Sequence, residues 1–339
     1  MDTNYSLKAA PLSIPFERRF QMFSTIIWVS MIMASTSAFF VFCTQIQLWP
    51  IVIAYMTYML MDTAPDTGGR RRDWVRQWPI WRGLAGYFPI HIIKETTLDP
   101  EGNYLFGYHP HGILSFGAMS IFTTEGSDWS QHFPGITPHL MTLSSNFKIP
   151  IYRDLLLSLG FCSVSRSSCE YILGSGPGQS IAIAVGGAQE ALTSLPGTNN
   201  IIVEKRLGFI RLAIRKQVSL VPVFCFGETD LFKQCILKNG SILANIQALV
   251  KKHLGFAAPL FYARGIFNYD IGLLPYRKPV TCVIGRPIKV PSLEHGQTEA
   301  TPEQVALTQT TYIQALKELY DNYKDIYAKD RVQELQIIA

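Results

Sequence analysis

Residues 103–123 read NYLFGYHPHGILSFGAMSIFT. The run NYLFGY (103–108) has the length and aromatic content of a buried strand. Pro110 and Gly112 break it. The apolar, small-residue stretch 113–123 that follows is long enough for a helix. The unit is therefore strand, turn, helix, with His109 and His111 in the turn. The same alternation continues along the chain. Strands are expected at 139–143, 161–165, 180–185, 218–224 and 280–284, and helices at 150–159, 206–216, 241–253 and 302–327. The last helix carries its own start signal, with Thr301 and Gln304 in capping-box spacing and Pro302 at the first position. This alternation predicts an α/β fold with a mostly parallel sheet flanked by helices, over a domain spanning 103–339.

The chain has 339 residues, of which 48% are hydrophobic and 16% charged, with a formal net charge of +5. So low a charged fraction points to a surface that partly faces lipid. The basic excess is scattered and forms no nucleic-acid groove, so no nucleic-acid partner is expected. GSGPGQS (174–180) lacks the GK[ST] of a phosphate-binding loop. The cysteines, Cys43, Cys162, Cys169, Cys225, Cys235 and Cys282, show no CxxC spacing and are expected to be reduced.

Residues 20–61 contain no Asp, Glu, Lys or Arg. One span needs about 20 apolar residues, so the stretch predicts a transmembrane helical hairpin turning near Thr44–Pro50. Residues 1–19 would form a cytosolic segment. Arg18 and Arg19 precede the stretch, and Arg70, Arg71, Arg72 and Arg76 follow it, which places both ends in the cytosol. The sequons at Asn4 and Asn239 would then stay unused. Residues 62–102, with Trp74, Trp78 and Trp81 among arginines, read as an interfacial segment in contact with membrane lipids.

Three chemistries suit His109 and His111 at the end of a strand: metal ligation, structural capping, or general-base catalysis on a hydroxyl. No HExxH, DxD or Cys partner completes a metal set. In AVGGAQEAL (184–192), Gly186 and Gly187 end a strand, and Glu190 follows where a carboxylate could orient a histidine ring. Alternatively, Glu190 is an ordinary first-turn acid. In 204–228, Arg211 and Arg215 are spaced i, i+4 on one face of a basic helix that also carries Arg206. That face suits a phosphorylated ligand or simply water.

Taken together, these segments resemble the type-2 acyl-CoA:diacylglycerol acyltransferase family, which includes monoacylglycerol acyltransferases and wax synthases. The resemblance rests on YFP (Tyr87, Phe88, Pro89), HPHG (His109–Gly112), VGGAQE (185–190), the block from RLGFIRLA to LVPVFCFGE, and ARGIFNYDIGLLPY (263–276). The matches are in order and span roughly residues 60–335. They imply a glycerolipid-acyltransferase-like fold and acyl transfer from acyl-CoA to diacylglycerol, with no cofactor or metal. Residues implied in catalysis are His111 as base, His109 and Glu190. Those implied in substrate binding are Tyr87, Phe88, Pro89, Gly112, Gly186, Gly187, Arg206, Arg211 and Arg215. The resemblance also implies residence in the endoplasmic reticulum membrane facing the cytosol, extension to lipid droplets, and room for a homo-oligomer. Three positions depart from the related patterns: Gln217 stands where a glycine is usual, Thr308 and Gln309 where Tyr-His is usual, and Phe116 where more distant glycerolipid acyltransferases carry an Asp. Monoacylglycerol or a fatty alcohol is the alternative acceptor. A non-enzymatic droplet hairpin and a metal-dependent lipid hydrolase are the alternatives of other classes.

Overall fold

The computed structural model describes residues 8–11, 13–235, 237, 240–243, 245, 247–249 and 259–338. Its strands are β1 (Ile90–Lys94), β2 (Tyr104–His109), β3 (Thr137–Thr142), β4 (Phe161–Ser163), β5 (Gln179–Ala184), β6 (Asn200–Ile201), β7 (Ser219–Phe226), β8 (Lys233–Gln234), β9 (Phe261–Tyr262), β10 (Val280–Ile284) and β11 (Gln336–Ile337). Seven of them form one sheet in the order β1-β10-β7-β2-β5-β3-β4. Every pairing in it is parallel except β10 with β7.

The helices are α1 (Phe16–Thr44), α2 (Trp49–Met61), α3 (Asp73–Arg76), α4 (Pro79–Tyr87), α5 (Phe116–Thr123), α6 (Trp129–His132), α7 (Tyr152–Leu159), α8 (Arg166–Leu173), α9 (Gly187–Ala191), α10 (Gly208–Lys216) and α11 (Pro302–Tyr327). The expected capping box at Thr301 and Gln304 is present.

β2 sits between β5 and β7 and is buried along its whole length. Strand alternation splits its side chains between two cores. Phe106 and Tyr108 join the cluster that contains Phe116 and Phe122 of α5. Leu105 joins the opposite cluster, with Ile210 of α10 and Tyr312 of α11. Helices thus cover both faces of a mostly parallel sheet, as the alternating sequence pattern requires.

The first helix is built inside out. Its buried residues are Gln21, Ser24, Thr25 and Ser35, while Phe23, Met33 and Phe40 are exposed. A soluble helix shows the reverse. Its polar stripe packs on α4, where a Cβ at Gly83 would lie 2.2 Å from Ser24 Oγ and one at Gly86 would lie 2.9 Å from Gln21 Nε2. Contact between small residues is a common way for membrane helices to approach.

Three expectations change. The break between the N-terminal helices falls at 45–48, as read. However, α2 has only 13 residues, about 20 Å of helix against a ~30 Å hydrocarbon layer. By length and composition, among the described residues, α1 alone can cross a membrane. Cys225 and Cys282 are not free thiols: they face each other across β7 and β10, with Cα atoms 4.0 Å apart, and are joined as a disulfide. A cross-strand register over 57 residues cannot be read from spacing. β1 and α8 were not anticipated. Of the expected helix at 241–253, the described residues 242–243, 245 and 247–249 are helical; residues 244, 246 and 250–253 fall outside the described residues, as do Asn4 and Asn239 of the two sequons.

The end of α2 is tied to the sheet domain by charge. Asp62 accepts from Arg70 at 2.8 Å, from the Ala64 N–H at 3.0 Å and from Arg153, which is itself fully buried. Burial works against the Asp62 carboxylate, but these hydrogen bonds hold its pKa far below the usual range. Removing one partner of a buried pair leaves the other charge uncompensated. Asp62→Asn is therefore expected to cost about 3 kcal/mol, read as a lower melting temperature of the detergent-solubilised protein. Arg70→Gln, at a half-exposed position, should cost about 1 kcal/mol or less.

Candidate active site

The two histidines are adjacent in sequence and opposite in setting. His109 ends β2 on the α11 face and is fully buried. Its Nε2 lies 3.0 Å from the Tyr312 hydroxyl, which donates to the Gly107 carbonyl at 3.1 Å. Tyrosine has one proton to give, so His109 Nε2–H is the donor to Tyr312. Its Nδ1 is buried and finds no partner among the described residues. Burial pushes its pKa down to about 3.

His111 lies in the turn and is only part-buried. Its Nδ1 is 3.0 Å from the Gly112 carbonyl, which can only accept. The proton therefore sits on Nδ1, and the Nε2 lone pair is left for chemistry. Burial lowers the pKa of His111 from its ordinary 6.5, while the bond to Gly112 works in the opposite direction. A neutral imidazole with an open nitrogen is the form a general base needs.

Glu190 is beside His111, but it does not touch the ring. One carboxylate oxygen accepts the backbone N–H of His111, and the other accepts the Ile202 N–H at 2.8 Å. The orienter of the ring is Gly112, not Glu190. Gly186 makes room for this carboxylate, since a Cβ there would stand 1.9 Å from Glu190 Oε2. Glu190 is 1% exposed, and burial raises its pKa to about 7.

A second buried carboxylate grips the other side of the turn, at a residue the sequence reading did not single out. Glu228 accepts the N–H of Phe116 and of Gly117, each at 2.8 Å, and the Tyr108 hydroxyl at 2.8 Å. It thereby caps the start of α5. Gly112 has φ +62°, and a Cβ there would come within 2.6 Å of Glu228 Cγ. Glycine is needed at this position on both counts. The only sequence signal was position: Glu228 closes the LVPVFCFGE block.

The predicted phosphate-binding arginines separate. Arg206 donates to the Gly186 carbonyl at 3.2 Å and lies near Glu190. Arg211 is exposed on α10. Arg215 is held by Glu170 at 2.8 Å and by Glu299, so its charge is already met. Of the YFP residues, Tyr87 donates to the Pro275 carbonyl at 2.8 Å, and Phe88 packs on Phe116 with ring centroids 4.9 Å apart. Both are buried, and Pro89 is exposed. Gln217 takes φ +53° at the end of α10, the conformation that a glycine favours. Its side chain donates to the carbonyls of Ile214 at 2.6 Å and Pro291 at 3.0 Å. Gln309 donates to the Glu204 carbonyl at 2.7 Å, and Thr308 is buried.

Comparison with known proteins matches residues 39–337 to the family model described as diacylglycerol acyltransferase. The chain is 50% identical to diacylglycerol O-acyltransferase 2B of Umbelopsis ramanniana over 97% of its own length and 95% of the relative's. It is 41% identical to human diacylglycerol O-acyltransferase 2 over 95% of its length and 83% of the relative's. Against diacylglycerol O-acyltransferase 1 of Schizosaccharomyces pombe the identity is 44% over 86% of this chain and 84% of that one. No solved structure matches.

Burial raises Glu228 from 4.5 to about 7, so the folded state favours its protonated form. The stability this contributes is complete below pH 4.5 and lost as pH rises through 7. Glu228→Gln cannot titrate, and its amide NH₂ would face a donor. The variant is expected to lose about 1–3 kcal/mol and to show a flatter dependence of melting temperature on pH between 4.5 and 7. Parallel slopes for variant and wild type would contradict the burial argument.

Proposed function

The chain belongs to the diacylglycerol acyltransferase family, and from that premise we infer that it is an acyl-CoA:diacylglycerol O-acyltransferase. Acyl-CoA and diacylglycerol are its substrates, and triacylglycerol and CoA its products. The observation that carries the mechanism is the fixed tautomer of His111. With Nδ1–H given to the Gly112 carbonyl, Nε2 takes the proton of the acceptor hydroxyl as that oxygen attacks the thioester carbonyl. The carbon–sulfur bond then breaks, and the imidazolium returns the proton to the CoA thiolate. The thioester is already activated, so this route uses no metal or other cofactor.

Backbone N–H groups at Gly112 and at Gly186–Gly187 are the groups assigned to the developing oxyanion, where one donor is worth about 3 kcal/mol. Glu190 is a positioning residue, since it holds the His111 main chain. His109 supports the turn from the α11 side. Arg206 and Arg211 are the cations assigned to CoA phosphates.

The inside-out α1 suits a body docked on a bilayer. Gln21 and Ser24 of α1 pack on the α/β body, and so does α2, through Tyr55, whose hydroxyl accepts the Ile151 N–H at 2.8 Å. Both ends of 20–61 therefore return to one side, and the apolar tip near Ile46 and Trp49 enters the lipid. On this reading the site lies on the cytosolic face of the endoplasmic reticulum, with passage to lipid droplets open to it. Diacylglycerol then reaches His111 from the membrane, and the CoA moiety from water.

The test is acyl transfer in membranes from a cell lacking storage-lipid synthesis, with labelled oleoyl-CoA offered alongside diacylglycerol, monoacylglycerol or fatty alcohol. Triacylglycerol from diacylglycerol is expected, and His111→Ala should abolish it at unchanged protein level. Ester formed mainly from another acceptor would move the substrate assignment, and full activity in the variant would remove His111 as base. The acidic limb of kcat/KM is expected to have its midpoint below pH 6.5, because His111 is shifted downward.

A further inference from the structure

A cavity of about 330 Å³ opens where α1 enters the α/β body. Its roof is made by segment 8–11 pairing with the loop that follows β9: the Ala10 N–H donates to the Phe267 carbonyl at 2.8 Å, and the Tyr269 N–H to the Lys8 carbonyl at 3.0 Å. Arg18, Arg264 and Arg277 line it, and none of the described lining residues is acidic. Two carboxylates lie outside the lining: Glu17, which accepts from Gln21 at 3.0 Å and also acts on Arg277, and Asp270, which accepts the Lys8 N–H at 2.6 Å. Arg277 reaches the Gly86 carbonyl at 3.1 Å and lies over the Tyr87 ring at 5.3 Å, while Arg264 lies over Tyr269 at 4.6 Å. Burial, and then the charge of Arg18, pull Arg277 below its ordinary pKa. Guanidinium groups grouped around one void suit the planar, bidentate recognition of a phosphate or carboxylate.

The remaining wall is apolar. Met22 belongs to α1, and Phe267 is 72% exposed beside the cavity. The cavity thus has a cationic interior and an apolar wall that includes Met22 of α1 and the exposed Phe267. We propose that it binds a phosphate group carried on an apolar chain, with the phosphate among Arg18, Arg264 and Arg277 and the chain leaving along Met22 and Phe267. Two sources share this chemistry: an acidic phospholipid of the bilayer, and the acyl-CoA donor itself. The inference rests on the membrane-docked reading of α1 made above.

The experiment is direct binding, independent of turnover. The full chain in dodecyl maltoside is titrated with fluorescent phosphatidate, with a fluorescent diacylglycerol of the same chains as the uncharged control. The variant is Arg18→Gln with Arg264→Gln, because neither residue joins α1 to α4, and its folding is checked by its melting curve. Phosphatidate affinity is expected to fall about tenfold or more in the variant, with the control unchanged. If oleoyl-CoA displaces the probe and its KM rises in the variant, the donor is the source. If the probe is bound but the KM for oleoyl-CoA in neutral micelles is unmoved, the phospholipid is the source. Equal phosphatidate binding by variant and wild type, or none by either, overturns the site. Loss of triacylglycerol synthesis with binding intact would instead count against the acyltransferase reading alone.

Discussion

Everything at the active turn hangs on two carboxylates buried beside it. Glu190 and Glu228 between them accept four backbone N–H groups and one phenol. A turn at the end of a central strand exposes unpaired main-chain donors inside the protein, where each would be costly if left alone. Two acids from distant segments settle that cost. In doing so they set where the His111 main chain runs, and the Gly112 carbonyl then sets the ring. The geometry of the turn is therefore a by-product of satisfying the backbone, which is why Gly112 and Gly186 have no room for a Cβ.

The same economy governs the membrane side. Small polar residues of α1 face inward against Gly83 and Gly86, and large apolar ones face out. The helix gains nothing by burying its apolar face in protein if lipid already covers it. What it needs from the body is shape and a place for its few polar groups. Gln21 shows this: it meets both Glu17 and Arg277.

The parts of this legible in the sequence were those written locally. Six sheet strands announced themselves as apolar runs, and α11 as a capping box followed by helical periodicity. The short β1, IHIIK, carries a histidine and a lysine and lies within the segment 62–102 read as interfacial, so no apolar run marks it. α8, RSSCEYIL, buries Ser168, Cys169, Ile172 and Leu173, and a stripe half made of small residues does not stand out in so short a run. The site residues were legible as types, because HPHG and VGGAQE are unusual strings. Their contacts were not. Arg215 looked available for phosphate because Glu170 and Glu299, which hold it, are 45 and 84 residues away. Glu228 drew no reading of its own because nothing near it in sequence reveals the N–H groups of Phe116 and Gly117, 112 and 111 residues away.

The two histidines show how far a motif can go and where it stops. HPHG marks both as equal candidates, and what separates them is that the strand ends at His109. Leu105, Gly107 and His109 lie on one face of β2, the face covered by Tyr312 of α11: a Cβ at Gly107 would meet its hydroxyl at 2.0 Å. His109, the last residue of the strand, shares that fate and is sealed. The chain leaves the sheet at Pro110, so His111 escapes the alternation and takes its surroundings from the turn. A histidine sealed in apolar surroundings holds its proton too weakly to act as a base near neutral pH, and it has no path for a hydroxyl. One held in a turn by its own neighbour's carbonyl keeps a usable nitrogen. The difference in setting follows from where the strand ends.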